Sequence, residues 1–364
     1  MRPETEAELA EILIAARGPL AVRGGGTRRF GKLSGAVLEM GGLAGVEVYE
    51  PGALTLVVRA GTALAEVERV LAGEQQRLAF EVPDLRGLLG REGASTIGGV
   101  VAANASGPRR VQVGACRDSL LGVRFVDGTG AVVKNGGRVM KNVTGYDLVK
   151  LMAGSRGSLG VLSEVSLKVQ AVPEAEATLT GSGLEAGLAV AALAKALGSP
   201  FDVSGAAWSP ALGALVRLEG LAGSVAYRAG EVLRLLGTGW HLVADGGSLW
   251  RRVRDVSAFA GQPGAVWRLA VKPSDAPEVL AALGDVVLDV VLDWGGGLIW
   301  LRVPEGTAAE VIRSALPGGH ATRVRGGGDG SDLPPEPLAV ARLAAGIKAK
   351  FDPRGIFDPG GAGD

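Results

Sequence analysis

Three glycine-rich segments, each joined to an apolar run, constrain this chain more than any other feature. They are Arg23-Gly24-Gly25-Gly26-Thr27, Gly93 to Gly107, and Gly154 to Gly160. Glycine reaches positive φ and lets other main chain approach without a Cβ in the way, so it marks both tight turns and backbone lying close to a ligand. Of 364 residues 59 are glycine. They show no three-residue period, which excludes a collagen-type helix, and they are scattered among apolar residues rather than gathered in a polar linker.

The length predicts two domains, with three as the upper bound, and 47% hydrophobic residues are ample for a large core. Lys+Arg and Asp+Glu both number 38, so nothing favours nucleic acid, whose binding needs a basic face. The single cysteine, Cys116, permits no intramolecular disulfide and no Cys-based metal site. Met1 to Glu11 holds four Glu and no long apolar run, unlike a secretory signal. Apolar stretches elsewhere stop well short of the ~20 residues that a membrane span requires. A cytoplasmic setting is expected, with any attachment to the inner face of a membrane made through partners.

Leu and Ile at helical spacing mark Glu4 to Ala16, and Leu20 to Arg23 reads as a strand running into the first glycine segment. Thr62 is placed to cap a helix reaching Leu71. Glu50-Pro51-Gly52 and Asp127-Gly128-Thr129-Gly130 read as hairpin turns. Val161, Val165, Leu167 and Val169 alternate with Glu164, Ser166 and Lys168, as in a half-buried strand. A boundary falls near Pro173. From there helical segments (Leu184 to Leu197, Val225 to Leu236, Pro277 to Leu283) alternate with strands (Ala214 to Leu218, Val286 to Val291, Leu298 to Val303). That order predicts a helix-backed antiparallel sheet, built as a pair of split βαβ units, without a visible sequence repeat. Arg325 to Leu333 reads as a flexible connector, and Pro337 to Lys350 as a last helix. The fold class is therefore α+β, with residues 1–173 and 337–364 in one domain and 174–336 in the other.

Consecutive glycines after a strand can aim several N–H groups at one point, cradling a phosphate. Yet Gly24-Gly25-Gly26-Thr27 contains neither G-x-G-x-x-G nor G-x-x-x-x-G-K-[ST], and alone it equally suits an ordinary loop. The second segment, Ala94 to Gly107, adds hydroxyls, glycines at a predicted helix start whose free N–H groups favour anions, and Asn104 among small residues. The third comprises Lys141-Asn142-Val143-Thr144-Gly145-Tyr146-Asp147-Leu148 and Gly154-Ser155-Arg156-Gly157-Ser158-Leu159-Gly160-Val161. In this order and spacing the three resemble the PCMH-type FAD-binding domain of the vanillyl-alcohol-oxidase flavoproteins, and their 2-hydroxyacid branch in particular. Phe351-Asp352-Pro353-Arg354-Gly355-Ile356 is similar to that branch's closing motif, where the chain returns to the flavin domain.

The resemblance implies a two-subdomain FAD-binding domain over 1–173, completed by the tail, with 174–336 a reduced cap for substrate or subunit contacts. It implies that Gly24, Gly25, Gly26 and Thr27 wrap the FAD pyrophosphate. Pro83, Ser95, Thr96, Gly98, Gly99, Asn104 and Gly107 would follow the ribityl chain and the isoalloxazine, and Gly160 and Val161 the adenine end. Arg156 and Asp358 depart from the family's usual Glu and Asn, so no contact is carried over to them. Many relatives attach FAD covalently through His, sometimes aided by Cys. Here His241 and His320 are the only histidines and lie outside the flavin segments, so FAD is expected to bind noncovalently.

No His-rich cluster exists, so no metal site and no catalytic base is nominated, and His241 and His320 read as structural or surface residues. A 2-hydroxyacid needs cations for its carboxylate. Arg109 and Arg110, next to the presumed flavin loop, are candidates, although an acidic residue, FAD phosphate or a partner would suit them equally. Arg117-Asp118 reads as a local salt bridge, Cys116 as a buried apolar residue, and the six Trp as core or interface. A complete flavin domain with a shrunken, His-poor cap is similar to the E-subunit family of bacterial glycolate oxidase. That implies a related flavin subunit and an iron–sulfur subunit as partners, with a small 2-hydroxyacid as substrate. A stand-alone FAD-dependent oxidoreductase and a non-catalytic structural subunit are the alternatives.

Overall fold

The computed structural model describes residues 1–28, 35–139 and 145–357. Lys141 to Thr144 and Asp358, singled out above, lie outside them.

Helix Glu6–Ala15 starts at Thr5, whose hydroxyl accepts the Glu8 N–H, and it buries Leu9 and Leu13. These pack on two parallel strands, β1 (Leu20–Arg23) and β2 (Ala36–Glu39). The C-terminal tail returns to this layer, bridging Leu20 with Phe357 and burying Ile356 and Phe357 beside Leu9 and Leu13. Its closing motif is a clamp. Buried Asp352 accepts the Ile356 and Phe357 N–H groups at 2.9 Å each and Lys348 Nζ at 2.6 Å. Arg354 donates to the carbonyls of Gly128 (2.7 Å) and Ile14 (3.0 Å), tying the tail to a hairpin and the first helix.

The second layer joins β3 (Val46–Glu50), β4 (Thr55–Arg59), β5 (Gln76–Leu78), β6 (Leu120–Val126), β7 (Val132–Gly136) and β8 (Val161–Ala171) in one antiparallel sheet. Both expected hairpin turns are present, and β8 runs through the middle with Val165, Leu167 and Val169 fully buried. Helices Leu64–Ala72 and Ile97–Ala102 cover this sheet. Thr62 does not cap the first of them. Its hydroxyl is buried, donating to the Arg59 carbonyl (2.7 Å) and accepting the Gly45 N–H (2.9 Å).

The cap comprises β9 (Ala175–Gly181), β10 (Val203–Ser209), β11 (Gly213–Gly220), β12 (Trp240–Val243), β13 (Ala265–Ala270), β14 (Asp289–Asp293), β15 (Leu298–Val303) and β16 (His320–Arg325). They form one sheet in the order β12-β9-β11-β10-β14-β15-β13-β16. Each half runs strand–helix–strand–strand–helix–strand, with helices Ala186–Leu197 and Ala222–Leu236 in the first and Ala276–Leu283 and Ala309–Ser314 in the second. Both halves order their strands fourth, first, third, second, so the expected pair of split βαβ units is present, joined where Trp208 pairs with Leu292. One face of the sheet packs against these four helices. On the other face Leu215, Val266, Val291 and Trp300 meet Leu85 and Leu88 of the first domain.

The segment 325–333, expected to be a flexible connector, is tied down instead. Arg313 donates to the carbonyls of Ser331 (2.7 Å) and Leu333 (2.8 Å), and Arg323 pairs with Asp332 at 2.6 Å. Trp208, Trp250, Trp267 and Trp300 are buried, in keeping with core packing.

Candidate functional site

The first glycine segment leaves β1 and runs against residues 93–96. A Cβ on Gly25 would stand 1.6 Å from the Ala94 carbonyl oxygen, and one on Gly24 2.2 Å from Thr96 Oγ1. No other residue permits that approach, and Gly26 has φ +70°. Among the described residues no protein acceptor takes the N–H of Gly24, Gly25, Gly26 or Thr27. Successive main-chain N–H groups left open at a turn suit an anion. Arg28, which was not anticipated, holds the loop: it donates to the Pro83 carbonyl and, at 3.1 Å, to Ser95 Oγ. Burial lowers its guanidinium to about 10.

The second segment corrects one expectation. Helix Ile97–Ala102 is only six residues long and ends before Asn104. Its first N–H groups are already bonded, Ile97 to the Thr62 carbonyl (3.0 Å), Gly98 to the Ala60 carbonyl (2.7 Å) and Gly99 to Thr96 Oγ1 (3.3 Å). That helix start therefore offers no free donors to a phosphate. Its glycines serve proximity: Gly98 backs onto Ala60, 2.7 Å from an added Cβ, while a Cβ on Gly99 would meet only Thr96 Oγ1, at 3.2 Å.

The third segment forms the far wall. Gly154 donates to the Val101 carbonyl (3.1 Å) and Arg156 to the Ala102 carbonyl (2.9 Å), docking this loop on the helix end. Gly157 takes φ +79°, and at Gly160 an added Cβ would lie 2.8 Å from the Phe125 ring. Together the three segments line one cleft. Gly24, Thr96, Gly98, Gly99, Gly160 and Val161 line it, with Val22, Met40, Ala60, Ala102, Ser155, Arg156, Gly157 and Leu162, which were not nominated. The residue set fits a dinucleotide with a flat ring: Gly24, whose loop leaves its N–H groups without protein acceptors among the described residues, lines the cleft together with apolar Met40, Val161 and Leu162. The buried Ser155 hydroxyl, a cleft residue, has no hydrogen-bond partner.

The remaining nominated residues lie outside this lining. Asn104, at φ +46°, accepts the Arg117 N–H at 3.0 Å. Gly107 backs onto Glu81, and its carbonyl accepts Trp294 Nε1 at 3.1 Å. Arg109 is committed elsewhere: it forks onto Glu219 of β11 at 3.0 and 3.1 Å. Its own N–H reaches Glu81 at 2.6 Å, and Glu81 in turn pairs with Arg217 at 2.9 and 3.0 Å. Arg109 thus belongs to a buried ionic seam between flavin domain and cap, which leaves Arg110 as the carboxylate candidate of the two. Arg117 and Asp118 do not pair with each other; Asp118 accepts the Ala115 N–H at 2.7 Å and faces Lys150 at 3.6 Å. Burial pushes the Cys116 thiol far up, which disfavours its thiolate. His241 and His320 are exposed on β12 and β16, the two outer strands of the cap sheet. Among the described residues no group of His, Cys, Asp and Glu is placed to hold a metal, and no helix is long and apolar enough to cross a membrane.

A family described as an FAD binding domain matches residues 1–136. Glycolate oxidase subunit GlcE of Escherichia coli (strain K12) is 36% identical over 358 residues, covering 95% of this chain and 93% of that one. The chain belongs to this family of FAD-binding flavoproteins. It is an FAD-dependent oxidoreductase by kinship, with FAD as cofactor. Glycolate oxidase subunit GlcD of Bacillus subtilis is 30% identical over 49% of this chain and 38% of its own. Two structures of alkyldihydroxyacetonephosphate synthase superpose with TM-scores of 0.69 and 0.73 at 16% identity. They cover 98% of this chain and 75% and 74% of theirs, a likeness of fold alone.

Proposed function

We propose that this chain is the E-type FAD-binding subunit of a glycolate oxidase complex, which oxidises glycolate to glyoxylate with a related flavin subunit and an iron–sulfur subunit. The observation that carries this is the convergence of three distant glycine segments on one cleft, the first of which leaves four consecutive N–H groups without a protein acceptor among the described residues. Gly24, Gly25, Gly26 and Thr27 would hold the pyrophosphate. Thr96, Gly98, Gly99, Gly160 and Val161 would line the rest of the cofactor's path, with Pro83 and Ser95 steadied by Arg28, and Asn104 and Gly107 shaping the turn beyond. When bound, FAD supplies the hydride-accepting chemistry, while the protein holds and tunes it. A buried Cys116 and two histidines on the outer cap strands support noncovalent attachment.

A chain with one cysteine cannot itself supply a four-Cys cluster, so electrons would leave through another subunit. Helix Leu338–Phe351 has no buried residue, and Val340, Leu343 and Ile347, spaced to share one face, are 48%, 71% and 39% exposed, an apolar face suited to a partner. In this reading the chain works in the cytoplasm or at the inner membrane face through its partners. The test is co-purification with neighbouring gene products, followed by glycolate-dependent dye reduction with and without this chain. Loss of activity on omission supports the proposal. Full activity without it overturns the proposal, and steady reduction of the lone chain by another hydroxyacid would replace it with a stand-alone oxidoreductase.

A further inference from the structure

We infer that Arg110, Arg268 and Trp294 form a binding site for the carboxylate of a small 2-hydroxy or 2-oxo acid, at the seam between cap and flavin domain. The choice of ligand class rests on the proposed oxidation of a hydroxyacid; the anion site itself does not. Trp294 follows β14 at φ +54°, a conformation that bulky residues seldom adopt. Two contacts fix it there, its N–H on Asp293 Oδ1 (2.7 Å) and its indole Nε1–H on the Gly107 carbonyl (3.1 Å). The second crosses from the cap to the glycine segment of the flavin domain. The indole so placed carries two guanidiniums, with Arg110 Cζ 4.4 Å and Arg268 Cζ 5.4 Å from a ring centroid.

These two cations differ from their neighbours. Arg109 has Glu219, Arg217 has Glu81, Arg302 has Asp289 and Arg323 has Asp332. Among the described residues the Arg110 and Arg268 side chains have no ion pair and no hydrogen bond, only the shared ring. Both are half-buried. Burial, then repulsion from Arg110 and Arg156, lowers Arg268 to about 10. Asp293 offsets this only in part: its charge favours the Arg268 cation, but burial raises its own carboxyl to about 7 and it already accepts the Trp294 N–H. A cation–π contact does not replace a counter-ion, and like charges held together out of water favour a bound anion. A guanidinium fork matches a carboxylate bidentately. The Trp294 bond to the Gly107 carbonyl sets the pair at the seam with the flavin domain's second glycine segment.

The test uses the flavin-loaded full chain and sodium oxalate, an unreactive small carboxylate. Binding is read by calorimetry and by the flavin spectrum, against sodium chloride of equal ionic strength. Arg110→Gln and Arg268→Gln should each weaken oxalate roughly tenfold or more, as expected for a charge-assisted pair, with flavin content unchanged. Arg268→Lys should fall between, keeping the charge but losing the fork. If Arg268→Gln does not fold, the more accessible Arg110→Gln decides alone. Equal oxalate affinity in folded variants and wild type, or wild-type binding no stronger than chloride gives, overturns the site. If oxalate binds through these arginines while the complex fails to oxidise glycolate, the anion site stands and the proposed function falls.

Discussion

Replacing Glu219 with Gln should remove the centre of the ionic seam that holds the cap on the flavin domain. Glu219, on β11 of the cap, receives Arg77 Nη1 at 2.6 Å and the Arg109 fork at 3.0 and 3.1 Å, both from the flavin domain. Burial opposes its charge, but Arg217, Arg109 and Arg77 outweigh burial and hold its carboxyl at about 2, against an ordinary 4.5. At about 1.4 kcal/mol per tenfold in proton affinity, that difference is worth about 3 kcal/mol at neutral pH. Breaking a buried pair by removing one partner costs about 3–5 kcal/mol, which agrees. The sign follows from a lowered folded value: the contribution is complete above the unfolded pKa of 4.5 and is lost as pH falls toward 2. Urea melts of wild type and Glu219→Gln should therefore differ by about 3 kcal/mol at pH 7 and by about 1 kcal/mol near pH 3. A difference below about 1 kcal/mol at pH 7, the range of an exposed pair, or one that does not shrink at low pH, would refute the reasoning.

Asp352→Ala should leave the Ile356 and Phe357 N–H groups buried without acceptors and free Lys348. A loss of about 2 kcal/mol or more is expected in thermal melts, with faster proteolysis of the tail. Cys116→Ala should leave flavin content and spectrum unchanged, and in the native wild type a thiol reagent should react with Cys116 only as the protein unfolds, since the thiol is buried and held protonated. Gly25→Ala should lower flavin content strongly, because the added methyl meets the Ala94 carbonyl rather than a yielding side chain.

The glycine segments are legible in the sequence because a glycine records main chain approaching main chain, as Gly24 and Gly25 do against residues 94–96. Strand β8 and Leu298–Val303 are legible because alternation and apolar runs are local signals. What failed depended on distant partners. The N–H groups at the start of Ile97–Ala102 read as free in the sequence, yet Ala60 and Thr62 supply acceptors from another stretch of chain. Thr62 reads as a cap, but the Gly45 turn claims its hydroxyl. Arg109 and Arg110 are adjacent in sequence and chemically identical; Glu219, 110 residues away, captures one, while Trp294 stacks beneath the other. The paired halves of the cap share an element and strand order rather than residues, so no repeat shows in the sequence.

Flavin occupancy of a Gly99→Leu variant tests the central claim most directly. A Cβ at Gly99 meets only Thr96 Oγ1, so the six-residue helix can carry the new side chain while the leucine fills the cleft. The account predicts a folded, colourless protein whose apo melting temperature lies close to that of the apo wild type. A variant that purifies yellow, with one FAD per chain, would show that the cofactor lies elsewhere.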